Sequence, residues 1–290
     1  MNLRFGTSLR QINTQSYISS LKAELFQAQR TAATGLAVET VSDAPHLWGE
    51  IGTVEDAILD TRRYMENSDQ AGSILSHAET SLDEAHNIVT RVTELAVAYS
   101  SEVYSAADRQ LAADEVDGLL ANLVTLGNTE LGGRYVFAGT AYDTPPFDDV
   151  GTYLGNGDQP STRIGTDNWV HSGFDGDAMF RESIDALVNT AAALRTGDHT
   201  QVANQLDVLD SAGESLIRAR QQVGNELRST QDAREVAENL ELVLSERHSD
   251  ITAADPYESY SRLVELQSSY DAALQVTAST MRTTLFDYTR

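Results

Sequence analysis

The side chains that most often carry catalysis or bind metals occur in this chain without the spacing that either task needs. No two histidines are four residues apart, the spacing that places two imidazoles on one helix face to bind zinc. His86 falls at an apolar helix position, which indicates a packed side chain. We therefore predict that the protein is not an enzyme. The histidines are His46, His77, His86, His171, His199 and His248.

Acidic and glycine-rich segments provide no better candidate for a binding site. Asp143, Asp148, Asp149 and Asp158 lie close in sequence but lack the spacing of an EF-hand calcium loop. No helix pattern follows the glycines near residue 156, so a dinucleotide-binding loop is not supported. The chain contains neither a phosphate-binding P-loop sequence nor a Gly-x-Ser-x-Gly nucleophile turn. The sequence thus predicts no metal and no cofactor.

Composition excludes several classes of partner. The 290 residues carry a net charge of −24, with 44 acidic and 20 basic side chains, and Lys22 is the only lysine. Such a balance argues against binding nucleic acid or an anionic membrane surface. Cysteine is absent, so disulfides and thiolate metal sites are excluded. No apolar stretch is long enough to span a membrane, and residues 1–10 lack the apolar core of a cleaved secretory signal. We expect a cytoplasmic protein unless export leaves the N-terminus uncleaved.

The two ends of the chain carry the clearest periodic spacing of apolar residues. Residues 1–34 and 257–290 each carry apolar side chains at alternating steps of three and four, the period of a coiled coil. A change of phase after Ile12 is a stutter. Polar residues such as Thr14, Gln267 and Thr277 interrupt the pattern, so the two helices bury little apolar area together. We expect these ends to become fully ordered only on assembly. The predicted assembly interface comprises Phe5, Leu9, Ile12, Ile18, Leu21, Leu25, Leu263, Tyr270, Leu274, Met281, Leu285 and Tyr288.

Breaks near both ends separate these helices from a longer helical region. Gly35 is placed to end the first helix, Ser42 can cap the next with Pro45 in its first turn, and Asp43 lies between them. Pro256 occupies the mirrored position near the other end. Together, Gly35, Ser42, Asp43, Pro45 and Pro256 form the predicted domain joint.

Between the two breaks the pattern predicts long helices and one different segment. Heptads run over residues 44–100 and again from about 200 to 254, and these two helices are long enough to pair antiparallel. A capping box at Ser105 and Asp108 begins another helix. Residues 134–139 and 169–171 read as strands, and the turn residues 155–158 favour a hairpin.

We predict a mainly α fold: a long antiparallel helical rod with coiled-coil terminal helices and a small β-rich insert. Residues 1–42 and 255–290 form the terminal coiled-coil assembly domain. Residues 43–131 and 178–254 form the rod, and residues 132–177 form the β-rich outer domain, which is too small to be stable without leaning on the rod.

Several stretches resemble the flagellin-like axial proteins of bacterial flagella. Thr34-Gly35 followed by residues 41–45 (VSDAP) is similar to the joint between the terminal and inner domains of that family. Residues 133–140 (GRYVFAGT) and 143–147 (DTPPF) resemble the branch of the family that joins hook to filament, and so do residues 263–274 and 279–288 at the end of the chain. The resemblance covers both ends and the middle.

The resemblance implies a structural role outside the cell. Members of the family leave unfolded through the flagellar type III export apparatus with no cleaved signal, and their terminal helices form the inner tube of a helical assembly. The implied partners are a hook-side junction protein, flagellin, further copies of the chain and a cytoplasmic export chaperone. Two alternatives stay open: flagellin itself, the bulk filament subunit, and a cytoplasmic helical signalling or scaffold protein.

Overall fold

A computed structural model describes the backbone of residues 3–288 and the side chains of residues 13–279. The fold is mainly α, as the heptad patterns predict. The helices are α1 Leu3–Thr34, α2 Trp48–Tyr99, α3 Ala106–Gly127, α4 Gly176–Thr196, α5 His199–Ala203, α6 Leu206–Thr252 and α7 Pro256–Tyr288. The strands are β1 Glu130–Leu131, β2 Arg134–Tyr135, β3 Ser161–Arg163 and β4 Trp169–His171, and they form two antiparallel pairs, β1 with β2 and β3 with β4.

The chain divides into two compact units. The terminal unit comprises residues 1–58 and 242–290, and the central unit comprises residues 59–241. Helices α2 and α6 each contribute residues to both units. The β-rich segment belongs to the central unit together with α3, α4 and α5.

Within the central unit, α2 and α6 run antiparallel. Ion pairs link them along their length: Arg62 Nε lies 2.6 Å from Glu241 Oε1, and Arg220 Nη1 lies 2.7 Å from Asp83 Oδ1. The shared heptad face is fully buried at Leu75, Leu82, Leu209, Leu216 and Val223. The predicted antiparallel pair of long helices is therefore confirmed.

Polar side chains on this face satisfy their hydrogen bonds within their own helix. Ser68 is buried and donates to the Tyr64 carbonyl at 2.8 Å, and Thr230 is buried and donates to the Glu226 carbonyl at 2.8 Å. Bonds of this kind to the preceding turn let small polar residues occupy a core position without an unpaired hydroxyl.

The β-rich segment shares the core of the helices. Phe137 lies edge-on against Phe180 of α4 at 4.9 Å between ring centroids, and Phe147 lies 5.9 Å from the same ring. Phe137, Phe174 and Phe180 are fully buried in one cluster with the leucines of α2 and α6. The segment therefore leans on the helices, as its small size requires.

Two predictions in this segment were wrong in detail. Only residues 134–135 of the predicted strand 134–139 form a strand, because the backbone of Val136 and Phe137 pairs instead with the chain just before α4: Phe174 N donates to Val136 O at 3.0 Å and Gly176 N to Phe137 O at 2.9 Å. Residues 155–158 join no strands, since the side chain of Asn156 folds back to accept a hydrogen bond from Thr140 N. Antiparallel hairpins are formed instead by β1 with β2 and by β3 with β4.

The start of α3 follows the predicted capping box. Asp108 N donates to Ser105 Oγ at 3.2 Å, and Ser105 N donates to Asp108 Oδ2 at 3.0 Å. One turn later, Arg109 is only 5% exposed. Its guanidinium donates to the carbonyls of Tyr99, Ser101 and Gly197. The positive charge thus ties the C-terminal ends of α2 and α4 to the N-terminal end of α3.

Replacing this guanidinium should destabilise the central unit. We expect Arg109→Leu to lower the free energy of unfolding by about 3 kcal/mol, because three carbonyls at these helix ends lose a charged donor. The matched control is Arg218→Leu, since Arg218 is exposed and pairs only with Glu214 at 3.4 Å. It should change stability by less than about 0.5 kcal/mol. Urea unfolding followed by circular dichroism measures both, and equal effects would contradict the role of Arg109.

Candidate assembly interface

Helices α1 and α7 pack antiparallel through a thin apolar seam. Among the described side chains, only Leu21, Leu25 and Leu266 are buried there. Ala28, Leu263, Tyr270 and Ala273 pack beside them and stay partly exposed. The antiparallel direction follows from the cross-helix pair Arg262–Glu24 and from the approach of the end of α1 to residues 252–254. We call this set of seven residues the terminal seam.

The structure brings part of the predicted interface into this seam. Leu21, Leu25, Leu263 and Tyr270 belong to it. Ile18 is half-buried one turn before Leu21. The predicted positions Phe5, Leu9, Ile12, Met281, Leu285 and Tyr288 lie outside the described side chains.

One predicted position of α7 does not face α1. Leu274 is 42% exposed, because the buried series runs through Leu263, Leu266, Tyr270 and Ala273. In a heptad pattern, Leu263 and Tyr270 can share a helix face either with residues 266 and 273 or with residues 267 and 274. The prediction used the second set, because Leu274 is larger than Ala273. Leu274 is left free to contact another subunit.

The predicted joint is held by backbone hydrogen bonds. Gly35 ends α1 with a φ of +73°, a left-handed conformation that favours glycine. Ala254 N donates to Gly35 O at 2.8 Å, and Ala37 N donates to Thr252 O at 2.7 Å. The segment that follows α1 is therefore hydrogen-bonded to the segment that connects α6 with α7.

Asp43 organises the turn between α1 and α2. Its carboxylate accepts hydrogen bonds from the backbone N–H of Thr40 at 2.8 Å, the Thr40 hydroxyl at 2.9 Å and the backbone N–H of Glu39 at 3.2 Å. These bonds, with the charge of Arg30 adding a smaller effect, hold the pKa of the Asp43 carboxyl below its ordinary value.

The predicted helix cap at Ser42 was wrong. Residues 41–47 form turns, α2 begins at Trp48, and Ser42 is exposed. The Asp43 carboxylate accepts hydrogen bonds from Glu39 and Thr40, which precede it in the chain. These bonds close a turn, and no helix begins here. Pro45 is exposed within these turns. The sequence signal for the true arrangement was the Thr40–Asp43 pair.

Pro256 is the first residue of α7, as its break in the pattern predicts. Asp255 caps the helix, accepting from Tyr257 N at 2.8 Å and Glu258 N at 3.3 Å. A small core of Val38, Ala44 and Ile51 completes the joint, with Leu47 and Ile251 packed beside it.

Large apolar side chains remain exposed on α1 and α7 outside the terminal seam, and Tyr257 is the most exposed of them at 90%. Because contiguous exposed apolar surface marks sites that bind other proteins, these residues are candidates for contacts with neighbouring subunits. The others are Tyr17, Phe26, Tyr260, Val264, Leu274 and Val276.

The described part of the chain offers neither a metal site nor a membrane-spanning helix. No group of three histidine, aspartate or glutamate side chains there is arranged to hold a metal ion. His86 is half-buried, with its ring beside Gly213 of α6. None of the helices, as far as they are described, has the length and apolar character needed to cross a bilayer.

Comparison with known proteins relates the chain to bacterial flagella. Residues 5–142 match the family described as bacterial flagellin N-terminal helical region. The flagellar hook-associated protein 3 of Escherichia coli (strain K12) is 27% identical over 216 residues, which are 74% of this chain and 67% of that protein.

Solved structures show the same fold. A putative flagellar hook-associated protein from Vibrio parahaemolyticus superposes with a TM-score of 0.66 at 15% identity, covering 73% of this chain and 100% of that one. Bacillus cereus FlgL gives a TM-score of 0.61 at 20% identity, covering 68% of this chain and 98% of that one.

The lowered pKa of Asp43 predicts how acid acts on the joint. Its ionised form stabilises the fold above the pKa of the unfolded chain, near 4, and that contribution disappears as the pH falls through the lower folded pKa. Asp43→Asn should therefore melt below the parent protein at pH 7, and the gap should narrow as the pH falls below that unfolded pKa. Thermal unfolding by circular dichroism measures the gap.

A neighbouring carboxylate provides the control. Asp250 is exposed and accepts no side-chain hydrogen bond among the described residues, so Asp250→Asn should melt like the parent over the same pH range. A gap for Asp43→Asn that stays the same from pH 7 to pH 2 would show that the charge of Asp43 is not responsible.

Proposed function

We propose that this chain is a member of the flagellin-like proteins of bacterial flagella, among the homologues of hook-associated protein 3, and that it is a structural subunit joining the hook to the filament. The packing of the terminal unit supports this proposal. Among the described side chains, its seam buries three, while large apolar residues beside it stay exposed. A unit of this kind needs neighbouring subunits to complete its packing.

Assembly through the terminal unit requires two different contact surfaces on each copy, because a repeated head-to-tail contact builds rings or helices.

The composition fits export before assembly. Acidic charge and the absence of cysteine suit a chain exported unfolded by the flagellar type III apparatus. The partners we propose are the hook-side junction protein, flagellin, further copies of this chain and, before export, a cytoplasmic chaperone. The role is mechanical, with no catalysis and no cofactor.

A division of labour along the chain follows from this role. We propose that residues 1–42 and 255–290 assemble, that residues 43–131 and 178–254 form the supporting rod, and that residues 132–177 form an outer part. The joint at Gly35, Ser42, Asp43, Pro45 and Pro256 separates the assembling helices from the rest.

The junction role is favoured over flagellin, the alternative in the same family. The curated relative is a hook-associated protein 3, and the segment 133–147 resembles that branch. The aromatic rings of this segment, Phe137 and Phe147, are buried against α4. A signalling or scaffold module is disfavoured by the match to the flagellin N-terminal region.

Reconstitution tests the proposed function. Isolated hook–basal bodies that carry the hook-side junction protein are incubated with this protein and then with flagellin monomers. We expect filaments to grow from the hooks only when this protein is present, because flagellin needs its surface as a template. Growth without it, or no growth with it, would rule out a hook–filament junction.

The exposed leucine of α7 allows a sharper test. Leu274→Asp should leave the free protein as stable as the parent, because Leu274 is outside the terminal seam. Assembly should fail, since burying an unpaired carboxylate between subunits costs several kcal/mol. Swimming and filament counts in a deletion strain measure this.

The matched control is Leu111→Asp, at an exposed leucine on α3 of the central unit. That strain should swim like the parent strain. Normal filaments on cells that carry only Leu274→Asp would remove Leu274 from the interface.

A further inference from the structure

A cleft of about 550 Å³ lies within the terminal unit, between α1, the joint and the start of α7. Small and apolar side chains make up part of its lining, and Leu266 of the terminal seam is one of them. A cavity of about 150 Å³ can hold a benzene ring, so this cleft has room for an aromatic side chain and its neighbour. The apolar lining includes Ala28, Ala37, Ala253, Ala254 and Leu266.

The charged part of the lining, which we call the edge of the cleft, is acidic. It comprises Glu24, Asp255 and Glu258, together with the single cation Arg262. Arg262 is already engaged, 3.8 Å from Glu24 and 3.3 Å from Glu265. Glu258 has no ion-pair partner among the described residues, so the edge carries unbalanced negative charge.

A surface with the complementary properties exists on the same unit. Lys22 Nζ lies 5.5 Å from the centre of the Phe26 ring, and the Phe26 side chain is 60% exposed. Lys22 is the only lysine of the chain, and no carboxylate pairs with it in the described structure. The pair thus presents a cation and an apolar ring together.

Within one subunit the two surfaces cannot meet. Successive residues of an α-helix are about 100° apart around its axis. The mean direction of Lys22 and Phe26 around the axis is therefore roughly 170° away from the mean direction of Glu24, Gln27, Ala28 and Thr31, the α1 residues that line the cleft. Complementary surfaces on opposite sides of one helix form a repeating head-to-tail contact, which closes into a ring or extends as a helix.

We propose that Lys22 and Phe26 of one copy dock into the cleft of the next copy. The Phe26 ring lies on the alanines and Leu266, and the Lys22 ammonium pairs with Glu258 at the edge. Docking removes an exposed aromatic ring from water and neutralises charge on both surfaces. This inference rests on the proposed function, because it names the contact by which copies of the chain associate at the junction.

A charge exchange tests the contact. Lys22→Glu and Glu258→Lys each place like charges together, and we expect each to reduce the fraction of cells bearing filaments at least tenfold. The double variant restores the opposite charges and should recover at least half of the parent value. Secreted protein is measured in parallel, so that loss of export is separated from loss of assembly. Glu235→Lys, at an exposed position of α6 in the central unit, is the control and should assemble normally.

Chemical cross-linking keeps the test independent of folding defects. Because the chain has no cysteine, Lys22→Cys with Glu258→Cys introduces the only two thiols. A short bismaleimide should join assembled copies into a ladder of covalent oligomers, whereas Lys22→Cys with Glu235→Cys should give none. Absence of the ladder from assembled junctions, or single charge variants that assemble like the parent, would overturn the proposed contact. If the parent protein itself fails to restore filaments to the deletion strain, the junction function fails and the contact fails with it.

Discussion

The terminal unit of this protein depends on the packing of α1 against α7, which buries little apolar area. Along the described part of α1 and α7, Leu21, Leu25 and Leu266 are the buried side chains of the seam. Each fully buried leucine contributes about 2 kcal/mol, while long helices that lack extensive tertiary packing are marginal in water. Under the proposed function, further stabilisation comes from neighbouring subunits. A weak seam fits the proposal that the chain is exported unfolded and becomes fully ordered on assembly.

The central unit, by contrast, has an extensive buried core. Its core is continuous from the aromatic cluster around Phe180 to the leucines of α2 and α6. Arg109 fixes three helix ends with one buried charge. The same core includes the buried rings of the small β-rich segment. The proposed function thus assigns stability and assembly to different parts of one chain.

Most of the fold could be predicted from the sequence, because long heptad runs and caps are local signals. The capping box at Ser105 and the helix start at Pro256 follow directly from residue type. One departure involves pairing over distance. The strand beginning at Arg134 is cut short because residues 174–176 compete for its backbone. The other is local: the Asp43 carboxylate accepts hydrogen bonds from Glu39 and Thr40, and no helix begins at Ser42.

The sequence predicted which helices form the candidate interface, but only some of the residues that face each other in it. Periodicity placed Leu263 and Tyr270 on the face of α7 that meets α1, yet it could not decide between Ala273 and Leu274, since both fit a heptad. The cleft beside the joint had no sequence signal, because it depends on how alanines from three elements come together. Lys22 was notable in the sequence only as the single lysine, and its setting beside Phe26 required the structure.

Hydrogen–deuterium exchange of the backbone amides tests most directly whether the terminal seam needs neighbouring subunits. Residues 14–34 and 256–279 are compared between the free protein and the assembled junction, with residues 75–95 of α2 as the internal reference. The account predicts that the terminal segments exchange quickly in the free protein and at least 100-fold more slowly after assembly, while the reference segment is protected in both. Strong protection of the terminal helices in the free protein, equal to that of residues 75–95, would contradict it.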